Sequence, residues 1–339
     1  MRAAALIAAL LLAIAGCATG PGPAFEQGVS SAAKPWTDAA FDNAPDTFTF
    51  AVFSDLTGGE REGIFKVAVA QLRLLRPELI VSVGDLIEGG TDDRAQLARE
   101  WNSFDERTQR ARTHVFYTGG NHDLTSPLMW EVWEERYGRR YYHFRYKDTL
   151  FLVLDTEDNP AEFQQYIHEI RAAADIVAKE QGWDAWRETA YGRLEERKSG
   201  RIGAEQAAWF RGVLAANPDV RHTFLLMHKP AWERPGEENF ATIEAALADR
   251  PYTVFYGHVH SYQYEQRHGR DYIRLATTGG VQIEGREMAF DHVTLVTVSA
   301  TGVDIANLRL DGILDKTGRI PAGGEALCFE AARCGDLVE

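Results

Sequence analysis

Short apolar runs rich in β-branched and aromatic residues recur along the chain, and each ends abruptly in a polar turn. Phe48 to Phe53 leads into Ser54-Asp55-Leu56-Thr57-Gly58-Gly59, Leu79 to Val83 into Gly84-Asp85, and His114 to Tyr117 towards Gly119-Gly120-Asn121-His122-Asp123. His222 to Met227 gives way to His228-Lys229-Pro230, and Tyr252 to Tyr256 to Gly257-His258-Val259-His260. Such runs predict buried strands. Between them the period lengthens: Ile64, Val67, Ala68, Leu72 and Leu75 share one face of a helix from about Gly63 to Leu75. Further helices are expected over residues 92–111, Pro127 to Tyr137, Ala204 to Ala215 and Phe240 to Ala248. Strands alternating with helices predict an α/β sheet whose functional groups sit at strand carboxyl ends. Tyr141 to Tyr146 and Thr149 to Leu154 flank Lys147-Asp148 as a hairpin, so part of the sheet is antiparallel. Asp271 to Thr277, and His292 to Val298 with a partner near Val303 to Leu308, close the strand pattern. Residues 158–200 interrupt it with polar helical sequence holding Trp183, Trp186 and Tyr191, and read as an insertion, either solvated decoration or lid.

The amino terminus departs from this pattern. Arg2 precedes an unbroken apolar run from Ala3 to Ala15, too short to span a bilayer as an ordinary helix, and then Gly16-Cys17. Residues 1–16 are expected to be a signal peptide. Ile14-Ala15-Gly16-Cys17 resembles a bacterial lipobox, which implies that Cys17 becomes a lipidated first residue holding the protein to a membrane by acyl chains. Residues 17–46 supply that anchor and a Gly-, Pro- and Ala-rich tether. The expected location is the bacterial envelope, facing the periplasm; Ala18 after the cysteine points to the outer membrane. Residues 47–312 form the folded domain and 313–339 a tail whose Cys328 and Cys334 either pair or remain free.

The net charge of −14 argues against a broad surface for the nucleic-acid backbone. It leaves room for a phosphorylated ligand, because bound cations invert the local sign of a site. Asp55, Asp85, Asn121, His122, His228, His258 and His260 all follow apolar strands directly, and together they suit the binding of divalent ions and the movement of a proton.

In order and approximate spacing these turns resemble the calcineurin-like metallophosphoesterase superfamily, over most of residues 46–312. The resemblance implies a four-layer αββα sandwich, two mixed sheets flanked by helices, with two metal ions at the strand ends. It implies that Asp85 bridges both ions, that Asn121, His228 and His258 complete one site, and that Asp55 and His260 serve the other. Mn, Fe or Zn fit such donors. His122 is then a catalytic residue outside the ligand set, which polarises the phosphate or protonates the leaving group, with Asp123 expected to orient it. The function implied is hydrolysis of phosphate mono- or diesters, on a small-molecule or lipid substrate, by attack of a metal-bound hydroxide.

One turn departs from the family pattern. Where the family reads Asp, any residue, His, this chain reads Asp55-Leu56-Thr57. A threonine hydroxyl is a weak ligand beside an imidazole nitrogen, so one ion is expected to be weakly held. Glu60 is a possible substitute ligand, and Thr57 itself another. The same departure sustains an alternative, a non-catalytic relative that binds a phosphorylated ligand or envelope partner. Arg139, Arg140, Lys229 and Arg234 are either phosphate contacts or plain surface charges.

Overall fold

Alternate residues of β1 (Phe48–Phe53) enter two different cores, as the period of a strand requires. Phe48, Phe50 and Val52 face a layer between two sheets, whereas Ala51 and Phe53 face helices. The computed structural model describes residues 44–283 and 285–334, with Ser30, Ala32, Lys34 and Thr37. The expected signal peptide, Cys17 and most of the tether lie outside the described residues.

After β1 come α1 (Ile64–Leu75), β2 (Leu79–Ser82), α2 (Arg94–Gln109), β3 (His114–Phe116) and α3 (Pro127–Tyr137). Asp93 caps α2 by accepting from the Ala95 and Gln96 amides, and Ser126 followed by Pro127 opens α3. The hairpin β4 (Tyr142–Tyr146) and β5 (Thr149–Val153) precedes the insertion helices α4 (Ala161–Gln181) and α5 (Trp183–Arg187). Then follow α6 (Ala204–Ala216), β6 (His222–Leu226), α7 (Asn239–Ala246), β7 (Tyr252–Tyr256), β8 (Gln263–Arg267), β9 (Arg270–Arg274), β10 (His292–Ser299) and β11 (Gly302–Arg309).

One sheet has the order β11-β10-β1-β2-β3 and the other β4-β5-β6-β7-β9-β8. Both are mixed: β1, β2 and β3 run parallel, as do β5, β6, β7 and β9, while β10, β11, β4 and β8 add antiparallel pairings. Phe50 packs edge-on against Phe151 and Phe224 across the sheets, at centroid distances of 5.1 and 4.8 Å. Helices α1 to α3 cover the outer face of the first sheet, and α6 and α7 that of the second. The fold is therefore the expected pair of mixed sheets flanked by helices. β8 is the strand that sequence periodicity omits: Gln-Tyr-Glu-Gln-Arg has no apolar alternation because it is a largely exposed sheet edge.

The tail is docked. Phe329 is buried with Ile64 and Leu310, its carbonyl accepts from the Asp291 amide, and Cys328 and Cys334 form a disulfide.

His292 on β10 gives this packing a pH dependence. Its Nε2 accepts the Ala276 amide at 3.0 Å, and burial, reinforced by Arg309, lowers its pKa to about 3. The unfolded chain takes up this proton near pH 6.5 and the fold does not, so the neutral ring stabilises the fold above that value and the contribution fades as pH falls. We expect the stability of the wild type, relative to His292→Gln, to fall by about 2 kcal/mol between pH 7 and 5. Urea unfolding at the two pH values reads this difference; a constant difference would show that the ring is already protonated in the fold.

Candidate metal centre

The five turns meet at the carboxyl ends of β1, β2, β3, β6 and β7. Asp85, His228 and His258 offer ligand atoms within 4.8 Å of one another, and so do Asp55, Asp85 and His260. Asp85 belongs to both groups. His228 Nε2 lies 3.1 Å from Asp85 Oδ2 and 3.2 Å from Asn121 Oδ1, and His260 Nε2 lies 3.2 Å from Asp55 Oδ1.

Backbone strain marks the same turns. Asp85, His258 and His260 have φ of 56°, 75° and 58°, in the left-handed region that non-glycine residues avoid. Such conformations cost on the order of 1 kcal/mol each and cluster where a side chain must be aimed. Gly84 makes room for the aim: a Cβ there would stand 2.7 Å from His228 Nδ1. Gly58, at φ 76°, leaves equivalent space, since a Cβ would lie 3.3 Å from the His260 ring and 3.5 Å from His122 Nε2.

Each histidine is held by a backbone carbonyl on the nitrogen that faces away. His228 Nδ1 meets the Val83 carbonyl at 2.9 Å, His260 Nδ1 that of Val281 at 2.5 Å, and His258 Nε2 that of Arg197 at 2.6 Å. An N–H donated to a carbonyl fixes the tautomer and turns the other nitrogen's lone pair into the centre, as in metal sites generally. Arg197 lies in the insertion, so that segment helps to set the centre rather than merely decorating the surface.

The buried donors shift one another's protonation. Burial raises the Asp85 pKa, but His228 and His122 outweigh it and hold the carboxyl well below its usual range. Burial lowers that of His228, yet Asp85 pushes it up to about 9. His258 is held well below its ordinary value by burial, then by His228 and Lys229. Thr57, where the family pattern has histidine, is fully buried and its hydroxyl oxygen has no hydrogen-bond partner. Three imidazoles, one amide, two carboxylates and an orphaned hydroxyl fit borderline divalent ions.

Two expectations are corrected by the geometry. Asp123 does not reach the His122 ring; its carboxylate accepts from the Leu86, Ile87 and Gly120 amides and ties the two turns together. Burial and the charge of Asp85 push its pKa up to about 8 against those donors. The His122 ring is instead fixed by the Glu88 carbonyl, 2.8 Å from Nδ1. Glu60 turns away to pair with Arg107 of α2, and its place near the loop is taken by Glu88, which accepts from the Gly59 and Glu60 amides.

The other cations singled out in sequence are committed elsewhere. Arg140 pairs with Asp155 at 2.9 Å, Lys229 with Glu157 at 2.8 Å and Arg234 with Glu196, while Arg139 lies over the Tyr141 and Trp209 rings. Sequence reading missed Arg171 on α4, whose Nη2 stands 3.0 Å from His122 Nε2. The only signal for it was its place within the insertion.

The class these features define is a metal-dependent hydrolase of phosphate esters. The family model for calcineurin-like phosphoesterase matches residues 48–262, and the chain belongs to that family. No curated protein sequence matches the chain. Among solved structures, a dimetal phosphatase from Danio rerio is similar at 14% identity and a TM-score of 0.51, covering 77% of this chain and 98% of its own. The purple acid phosphatase PPD1 from yellow lupin (Lupinus luteus) seeds matches at 13% identity and a TM-score of 0.51, over 79% of this chain and 53% of the lupin enzyme, so the chain spans about half of that protein. At such identities the likeness concerns the fold, two mixed sheets with flanking helices.

Proposed function

We propose that this phosphoesterase works in the bacterial envelope, tethered through acyl chains on Cys17 and facing the periplasm, and that it hydrolyses phosphate mono- or diesters of a small molecule or lipid. The observation that carries the catalytic reading is the convergence of two donor groups on the Asp85 carboxylate, with His122 beside them. The Cys328–Cys334 disulfide suits an oxidising compartment, which supports the location.

Asn121, His228 and His258, with Asp85, would hold one ion, and Asp55 and His260, again with Asp85, the second. Divalent ions there would activate water and offset charge on the phosphoryl oxygens. His122 is anchored at Nδ1 by the Glu88 carbonyl, and its Nε2, beside Arg171, is the nitrogen that would carry a proton to the leaving group. A residue kept out of both donor groups yet oriented beside them favours catalysis over a degenerate binding role.

Thr57 leaves the Asp55 and His260 pair short of one imidazole. We therefore expect purified protein dialysed against chelator to retain about one ion per chain and to lose most turnover of an aryl phosphate ester, with manganese restoring it. Two ions surviving dialysis would refute the weak site, and turnover indifferent to added metal would refute the mechanism. In cells the activity should sediment with membranes and become soluble in Cys17→Ser; a soluble wild type would refute the anchor.

A further inference from the structure

The insertion brings to the centre a guanidinium that forms no ion pair among the described residues. Arg171 sits midway along α4, which its own small core of Ile167, Ala174, Tyr191 and Trp186 holds in place. Its Nη1 donates to the Asn121 carbonyl and the Thr125 hydroxyl, both at 3.1 Å. Its Nη2 lies 3.0 Å from His122 Nε2 and 3.2 Å from Nδ1. These partners are neutral, or in the case of His122 a potential second cation. Among the described residues no carboxylate lies within 4.0 Å, and Asp175, Asp85 and Glu157 act on it only at longer range. Buried or half-buried cationic side chains ordinarily have an anionic partner, as Arg140, Lys229 and Arg234 do here.

We propose that Arg171 is an anion clamp that binds a non-bridging oxygen of the substrate's phosphate and selects a terminal phosphate, a monoester, over a diester; the proposal rests on the phosphoesterase reading above. Because Nη2 and His122 Nε2 are only 3.0 Å apart, there are positions from which one oxygen reaches both within hydrogen-bond distance. A terminal phosphate has three non-bridging oxygens against two in a diester. It therefore keeps one for the guanidinium when two face the Asp85-centred donors. A planar guanidinium suits that oxygen better than an ammonium, which makes the loss in a lysine variant partial rather than absent.

The test uses full-length protein loaded with manganese, and compares wild type with Arg171→Gln and Arg171→Lys. Metal content should be unchanged, since Arg171 is outside both donor groups, while the melt of Arg171→Gln should fall by a few degrees with the lost hydrogen bonds to Asn121 and Thr125. Titration calorimetry with inorganic phosphate should show affinity about 10- to 100-fold weaker in Arg171→Gln, the size expected for a charge-assisted hydrogen bond, with Arg171→Lys in between. KM for an aryl phosphomonoester should rise by a similar factor, while that for an aryl diester stays within about twofold. Unchanged phosphate affinity in Arg171→Gln, beside a wild type that turns over esters, overturns the clamp and leaves the hydrolase standing. An equal rise in KM for both esters overturns the monoester selection. A wild type that neither binds phosphate nor cleaves either ester overturns both readings. If Arg171→Gln fails to fold, the lysine variant decides, because wild-type phosphate affinity with lysine in place refutes the need for a planar fork.

Discussion

Asp85→Asn is expected to leave a folded protein that holds at most one ion and has lost at least about 10³-fold in kcat/KM, some 4 kcal/mol of transition-state stabilisation. The fold should survive because asparagine reproduces the contacts that matter to it. His122 donates its amide to Asp85 Oδ1 at 2.9 Å, which an amide oxygen also accepts. An amide nitrogen in place of Oδ2 faces His228 Nε2, whose lone pair is available once Nδ1 donates to the Val83 carbonyl. What asparagine cannot supply is a second anionic oxygen, and Asp85 is the one residue common to both donor groups. Metal analysis and ester turnover on the same preparation read the two losses together. An Asp85→Asn protein that kept two ions and a tenth of the wild-type rate would mean that the ions, if bound, are not joined through this carboxylate.

Much of this was legible in the sequence because burial wrote it there. A strand covered on both faces needs an unbroken apolar run, and the polar side chains within two positions of Phe53, Val83, Met227 and Tyr256 together mark strand ends suited to chemistry. The left-handed backbone at Asp85, His258 and His260 was hidden, because no residue type announces it when a non-glycine adopts it. Hidden too were the carbonyls of Val83, Val281 and Arg197 that fix the three imidazoles, since a backbone oxygen is the same at every position. Asp123 shows the converse error. Adjacency to His122 suggested a carboxylate–imidazole pair, but successive residues on a turn point apart, and the carboxylate went to three amides instead. Arg171 lay beyond any local pattern: its approach to His122 spans 49 positions and depends on how α4 packs.

His122→Ala should separate proton transfer from metal holding. The ring is outside both donor groups, so the variant should bind metal as the wild type does. Its Nδ1 is committed to the Glu88 carbonyl, which leaves Nε2 as the nitrogen that serves the leaving oxygen. Loss of a positioned general acid is worth about 10²- to 10⁴-fold, and the amount depends on how much the leaving group needs the proton. An alkyl phosphate, which departs as a basic alkoxide, should therefore lose about 10³-fold in kcat, and a nitrophenyl phosphate, whose phenolate leaves unaided, about tenfold or less. Arg171 leans on the same ring but does not account for this asymmetry, since a lost phosphate contact lowers the rate of the alkyl and the aryl monoester alike. The measurement is the dependence of kcat on leaving-group basicity in the two proteins. Equal losses for alkyl and aryl esters would assign His122 to holding the phosphate, and a fall in bound metal would make it a ligand after all.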